Sequence, residues 1–259
     1  MRRSADSVGE IICLALACSL AFSIAGASIG NDAGFRLLKL DGYHVKWGEA
    51  ALGAGATVSY AFVEVPTRFD GARNCGELVP MTDLGTRNGI SEATLHAETA
   101  AAFRAWEAAA NITFILADNP DQADILIGAQ GQPVGRAFAN VMYRPGSNDG
   151  VRAIDRALVC LNPEQRWKVG FDGDIEVYDI RYTLVHEIGH AVGLDHPGPS
   201  GQVMSFSYRE TFSDLQPGDF HGVQLLYGGG VRNMTAGGGQ VPPPAEPSPA
   251  NSGRLISLP

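Results

Sequence analysis

Between residues 91 and 110 the buried-face pattern is that of a helix: Leu95, Thr99, Ala102, Phe103, Trp106 and Ala110 recur at three- and four-residue spacing. Two further stretches carry helix signals. Residues 182–194 form one, with Gly193 near its end, and residues 217–227 form another, with Pro217 in its first turn and Gly228 after its last. Residues 57–65 are rich in β-branched and aromatic types and lie between Gly55 and Pro66, which predicts a strand. Shorter strands are predicted over 112–116, 124–128, 137–143 and 157–161. Strands interleaved with three main helices predict an α+β or α/β domain, with α+β and a twisted mixed sheet the preferred form.

The two ends of the chain have a different pattern. Residues 11–24 are apolar and uncharged, follow Arg2 and Arg3, and lead into Ala25-Gly26-Ala27. A positive start, a short apolar run and a small-x-small site predict an export signal over 1–27. Retention as an anchor, or lipidation at Cys18, are the alternatives. Gly228-Gly229-Gly230 closes the last periodic segment, and the glycine, proline and serine that follow predict a flexible tail over 231–259. Residues 28–230 are thus expected to form one folded domain, secreted and monomeric, with no stable membrane insertion.

Composition narrows the class. With 45% hydrophobic and 18% charged residues the chain is globular rather than disordered. Lys and Arg number 19 against 28 Asp and Glu, a net charge of −9, which argues against nucleic acid or an anionic membrane as the main partner. Export would remove Cys13 and Cys18 with the signal and leave Cys75 and Cys160. Two cysteines in an oxidising compartment are expected to pair, the alternative being two separate thiols.

The residues that carry chemistry lie in one run, His186-Glu187-Ile188-Gly189-His190-Ala191-Val192-Gly193-Leu194-Asp195-His196. On a helix, positions i and i+4 share a face, so His186 and His190 can direct two imidazoles at one ion. Gly193 permits a backbone turn that returns His196 as a third nitrogen ligand. Three neutral nitrogens leave a coordination position for water, the arrangement of a catalytic zinc. Glu187, beside a ligand but placed not to be one, is the candidate general base.

This run resembles the long zinc motif of the metzincin peptidases, and the short gap from His196 to Met204 is similar to the matrixin branch. Met204 matches the methionine that metzincins hold in a turn beneath the metal. The resemblance extends to Ala102–Trp106 with 112–114, to 123–127, and to 215–228, so it covers about residues 45–228. It implies an α+β metzincin fold with the zinc site on the central helix and the turn after it. The implied activity is a secreted zinc endopeptidase acting on peptide or protein substrates. It further implies a substrate pocket bordered by Tyr208 and Phe206, and a calcium candidate at Asp172, Asp174 and Glu176. An extended substrate would lie along the edge strand near 135–143.

The chain also departs from the family pattern. Animal matrixins hold a second zinc by three histidines and an aspartate, but here His44, His96 and His221 are scattered, so one zinc is expected. Phe206 stands two after the methionine, where the serralysin branch has a tyrosine that reaches the metal. Arg73-Asn74-Cys75-Gly76 bears a slight resemblance to the inhibitory cysteine motif of animal propeptides, but Cys75 falls after the first strand and is expected in a disulfide. Two other readings stand beside the endopeptidase: a non-catalytic secreted zinc-containing binding module, and a zinc hydrolase of non-protein amides.

Overall fold

A computed structural model describes residues 34–146, 150–199 and 201–229; the expected signal over 1–27 and the tail over 231–259 lie outside them. Two short strands, β1 (Arg36–Leu37) and β2 (Lys39–Leu40), lead into β3 (Tyr43–Lys46), β4 (Ala56–Phe62), β5 (Thr67–Arg68) and β6 (Glu77–Val79). Helices α1 (Thr82–Asn88) and α2 (Glu92–Ala109) precede β7 (Ile112–Leu116), β8 (Ile125–Gln130), β9 (Ala137–Tyr143) and β10 (Val151–Leu161). The short strands β11 (Trp167–Lys168) and β12 (Tyr178–Asp179), helix α3 (Ile180–Ala191), strand β13 (Leu194–Asp195) and helix α4 (Pro217–Tyr227) complete the fold.

The main sheet is mixed. Its order is β2-β3-β10-β8-β4-β7, with parallel pairing of β3 to β10, β10 to β8, β8 to β4 and β4 to β7. β9 runs antiparallel to β10 and pairs with no other described strand, so one of its edges is unpaired. Side chains alternate across a strand, and one face of this sheet is covered by α2 and α3. The stacked rings of Phe103 and Tyr60, with centroids 4.1 Å apart, join α2 to β4. Trp106, fully buried, donates its indole N–H to Val185 O at 2.9 Å and so locks α2 to α3. Ser91 caps α2 by accepting from Thr94 N at 3.1 Å. Among the described residues, no helix is long and apolar enough to cross a membrane.

The observed elements differ from the periodic reading in three instructive places. α1 is a short helix the pattern did not reveal, because its two buried residues, Leu84 and Gly85, are too few to form a stripe. β10 begins at Val151 rather than 157, since Arg152, Asp155 and Arg156 interrupt its apolar run while its N-terminal part pairs with β3. α3 spans Ile180–Ala191 instead of 182–194: Asp179 caps it by accepting from Tyr182 N at 2.7 Å, and Leu194–Asp195 leave the helix to pair with β1.

Cys75 and Cys160 are joined by a disulfide that ties the loop before β6 to β10, inside a second apolar cluster with Leu78, Leu126 and Leu158. The bond closes a separation of 85 residues, for which chain entropy predicts about 4.5 kcal/mol of stabilisation. Peptide mapping of unreduced protein should find the two residues joined, and the Cys75→Ala, Cys160→Ala double variant should lower the unfolding free energy by roughly that amount. Alkylatable thiols at both positions in unreduced protein would reject the pairing.

Candidate metal centre and active-site cleft

Helix α3 places His186, Glu187 and His190 in the interior of the domain, with His186 and Glu187 both nearly inaccessible to solvent. The turn after the helix depends on Gly193, whose φ of +103° is left-handed and whose Cβ, if present, would collide with Val45 O. The carbonyls that the helix end leaves free are taken by aromatic side chains. Trp47 Nε1 donates to Ala191 O at 2.8 Å, and Tyr227 Oη donates to Val192 O at 2.8 Å. Held in this way, the chain returns His196 to face the other two histidines.

The ring nitrogens define what the cluster can bind. His186 Nδ1 donates to Val203 O at 2.7 Å and His190 Nδ1 to Leu194 O at 2.8 Å. Carbonyl oxygens only accept, so the proton of each neutral ring sits on Nδ1 and each Nε2 presents a lone pair. His196 Nε2 stands 3.0 Å from His186 Nε2 and 3.1 Å from His190 Nε2. Tetrahedral zinc with three imidazoles spaces the nitrogens by about 3.3–3.4 Å. The donor set therefore fits zinc: three nitrogens converge, at least two of them acceptors only, which one shared proton cannot satisfy and a cation can. Burial holds His186 well below the ordinary histidine range and pushes His190 down to about 4, while His196 is also lowered by burial. All three thus favour the neutral, ligating form.

Glu187 sits beside this cluster in an open cleft of about 830 Å³ bordered by β9 and Phe206. Burial raises its carboxyl to about 7, against the opposing charge of Arg136 and a hydrogen bond from the Ala139 amide. A carboxylate with a proton affinity near neutrality suits a base that must both take and return a proton.

Met204 is buried, with its sulfur against Gly189 of α3. A Cβ at Gly189 would overlap Met204 Sδ and stand 2.8 Å from Trp106 Cζ2, so only glycine at that position allows the methionine to pack against α3. The turn that carries Met204 is held by Asp219, which the sequence reading did not single out. Its carboxylate accepts from Val203 N at 2.9 Å, Met204 N at 3.1 Å and Gln216 N at 2.8 Å. Its only sequence signal is the capping-box position at the start of α4.

The other expected site residues are distributed differently. Phe206 is largely exposed, with its ring edge-on to His196 at 6.0 Å, whereas Tyr208 lies at the opposite end of α3. Tyr208 Oη accepts from Asp179 N at 2.9 Å and donates to Glu210 at 2.7 Å. The side chains of Asp172, Asp174 and Glu176 are not among the grouped metal-ligating side chains of the described residues. Lys168 Nζ donates to the Asp172 carboxylate, to Asp174 O at 2.8 Å and to Glu210 Oε1 at 2.6 Å, while Asp174 Oδ1 is occupied by Glu176 N at 3.0 Å. The hydrogen bond from Lys168 lowers the Asp172 pKa. Among the described residues, the grouped side chains able to hold a metal are His186, His190 and His196. His96 is stacked on Phe62 at 3.8 Å, remote from that cluster in the fold, and His44 is half-buried in β3.

Comparison with known proteins agrees with this geometry. The family model described as matrixin matches residues 83–228. The chain is 27% identical to Metalloendoproteinase 5-MMP of Arabidopsis thaliana over 157 residues, which is 54% of this chain and 41% of that protein. It is 30% identical to Matrilysin of Mus musculus over 122 residues, 41% of each, and 32% identical to Metallopeptidase AprA of Pseudomonas marginalis over 119 residues, 43% of this chain and 23% of that protein. The alignments span about two fifths or less of the length of these relatives.

Two measurements follow from the geometry. Metal analysis should give near one zinc per chain in the wild type, and His190→Ala should lose it, because two imidazoles do not make a competitive site. A consistent value of two would show that a second site exists. Gly189→Ala should destabilise the domain by about 1–3 kcal/mol through overpacking against Met204 and Trp106, and weaken metal retention with it. An unchanged melting temperature would show that the methionine packing has slack.

Proposed function

The chain belongs to the matrixin family, and from that premise we propose that it is an exported zinc-dependent endopeptidase that hydrolyses peptide bonds with Glu187 as general base. The observation that carries this reading is the place of Glu187: next to the histidine cluster, in the wall of the cleft, and raised by burial to a proton affinity near neutrality. A non-catalytic zinc module has no use for a buried carboxylate there, since burial costs several kcal/mol unless the group is employed or compensated. Export is supported by the pattern of residues 1–27.

Bound at the three histidines, a zinc ion supplies Lewis acidity and brings the pKa of a water molecule to about 7. The protein's own groups do the rest. The unpaired edge of β9 offers backbone N–H and C=O groups to an extended peptide, which sets the scissile bond across the cleft from α3. Glu187 accepts a proton from the attacking water and returns it to the amide nitrogen, which is a poor leaving group until protonated. The Ala139 amide, hydrogen-bonded to the carboxylate, keeps it turned toward β9 and hence toward the substrate. Because base and two ligands share one helix, their spacing needs no loop ordering.

Glu187→Gln should retain zinc and the fold while losing about 10²–10⁴ in rate on a diverse peptide mixture read by mass spectrometry. Cleavage at the wild-type rate by Glu187→Gln would reject the mechanism. A zinc-loaded wild type that cleaves no peptide would instead favour the binding module.

A further inference from the structure

A second depression, of about 500 Å³, opens at the C-terminal ends of β4 and β7. β7 is the edge strand there, and β4 and β8 lie between it and β10, the partner of β9. No residue borders both this depression and the cleft. Its floor is apolar, with Met81, Leu95 and Ile127 buried in it. Phe62 forms one wall, with His96 of α2 stacked on it at 3.8 Å between ring centroids. Leu116, at the end of β7, stands on the rim and is 56% exposed. Val65 and Ile115, next in the chain to the rim residues Glu64 and Leu116, are 65% and 54% exposed, so apolar surface continues past the rim. Single exposed apolar residues are ordinary, but several at one end of a sheet around an apolar hollow mark a binding surface.

The charge around the hollow has one sign. Glu64, Glu92 and Asp118 border it, and no Lys or Arg does. Among the described residues, neither Glu64 nor Asp118 takes part in an ion pair, and Glu92 has only His96, 3.9 Å away. An anionic rim repels phosphate groups, so neither nucleic acid nor an anionic membrane suits this surface. It attracts a cation that also carries apolar surface. Strand addition is not the means of contact. Glu107 Oε1 accepts from Phe114 N at 2.7 Å, so the amide midway along the open edge of β7 is already taken. Recognition falls to side chains: an apolar one fills the hollow while a positive one meets the carboxylates.

We propose that this hollow is a docking site for a partner polypeptide, at a segment in which leucine-like side chains adjoin lysine or arginine. It is a binding surface separate from the cleft, and it stands whether or not the chain cleaves peptides.

The test uses the full zinc-loaded chain carrying Glu187→Gln, so that the probe is not consumed. The probe is a capped heptapeptide alternating leucine with lysine, compared by calorimetry with its counterpart alternating leucine with glutamine. At low salt the lysine peptide should bind about 3- to 30-fold tighter, and the ratio should narrow as salt is raised, as for two or three exposed charge contacts. Glu64→Gln with Asp118→Asn should remove most of that preference, whereas Leu116→Ser should weaken both peptides by roughly 3- to 10-fold through lost apolar contact. All three side chains are exposed and lie outside the cleft, so fold and zinc content should hold. Hydrogen exchange should show protection by the lysine peptide over 61–65 and 115–118. Equal binding of the two peptides overturns the proposal, as does no binding of either. A lysine preference that survives the double substitution overturns it too, and so does protection confined to 137–143, which would place the peptide in the cleft.

Discussion

At Gly193 the backbone reverses with φ +103°, in a space that Val45 O closes to any side chain. Most of the site is arranged around that reversal. It frees the last carbonyls of α3 for Trp47 and Tyr227, turns Leu194 O toward His190 Nδ1, and carries His196 back over the helix. It also starts β13, which pairs with β1 and is reinforced by the Arg36–Asp195 ion pair at 2.9 Å. Any other residue at 193 would have to move β3, so the third ligand and the inner edge of the sheet are coupled through one Cα.

A second tier of interactions tunes the ligands without touching a metal. His186 is oriented by Val203 O, and Val203 is itself held by Asp219 from the first turn of α4. Asp219 is raised by burial, an effect opposed by the backbone amides that it accepts from, so it acts as a buried anchor between the methionine turn and the last helix. Metal-ligating histidines are commonly fixed through the far ring nitrogen in this manner, and the partner determines tautomer and direction. Here both partners of α3 histidines are backbone carbonyls, which leave the rings neutral and the site with no added charge.

The N-terminal end of α3 is organised by charges supplied from within the chain. Lys168 gathers Asp172, Asp174 and Glu210, and Glu210 passes the connection to Tyr208 and so to the Asp179 cap. In the acidic segment that resembles a calcium loop, Lys168 pairs with the Asp172 carboxylate and with Glu210, and it reaches Asp174 through the backbone carbonyl. Through Tyr208 this network braces the cap of the helix that bears the ligands, and the Tyr208 ring also lies under the Arg136 guanidinium.

Much of the centre could be read along the chain because its logic is local. The 3.6-residue period puts His186, Glu187 and His190 on adjacent positions of one helix, and a glycine three residues before His196 marks the turn. The helices over α2 and α4 were legible for the same reason, with Ser91 and Pro217 at their starts. What the tertiary structure decided are the pairings between segments distant in sequence: Val203 O with His186, Asp219 with the methionine turn, Lys168 with Glu210, Arg136 with Tyr178 and Tyr208. A lone Lys or Arg in a sequence carries no sign of whether it faces water or a buried cage. That is settled only when the sheet register and the α3 packing bring the partners together, because hydrogen-bond direction and desolvation depend on position in space rather than on order along the chain.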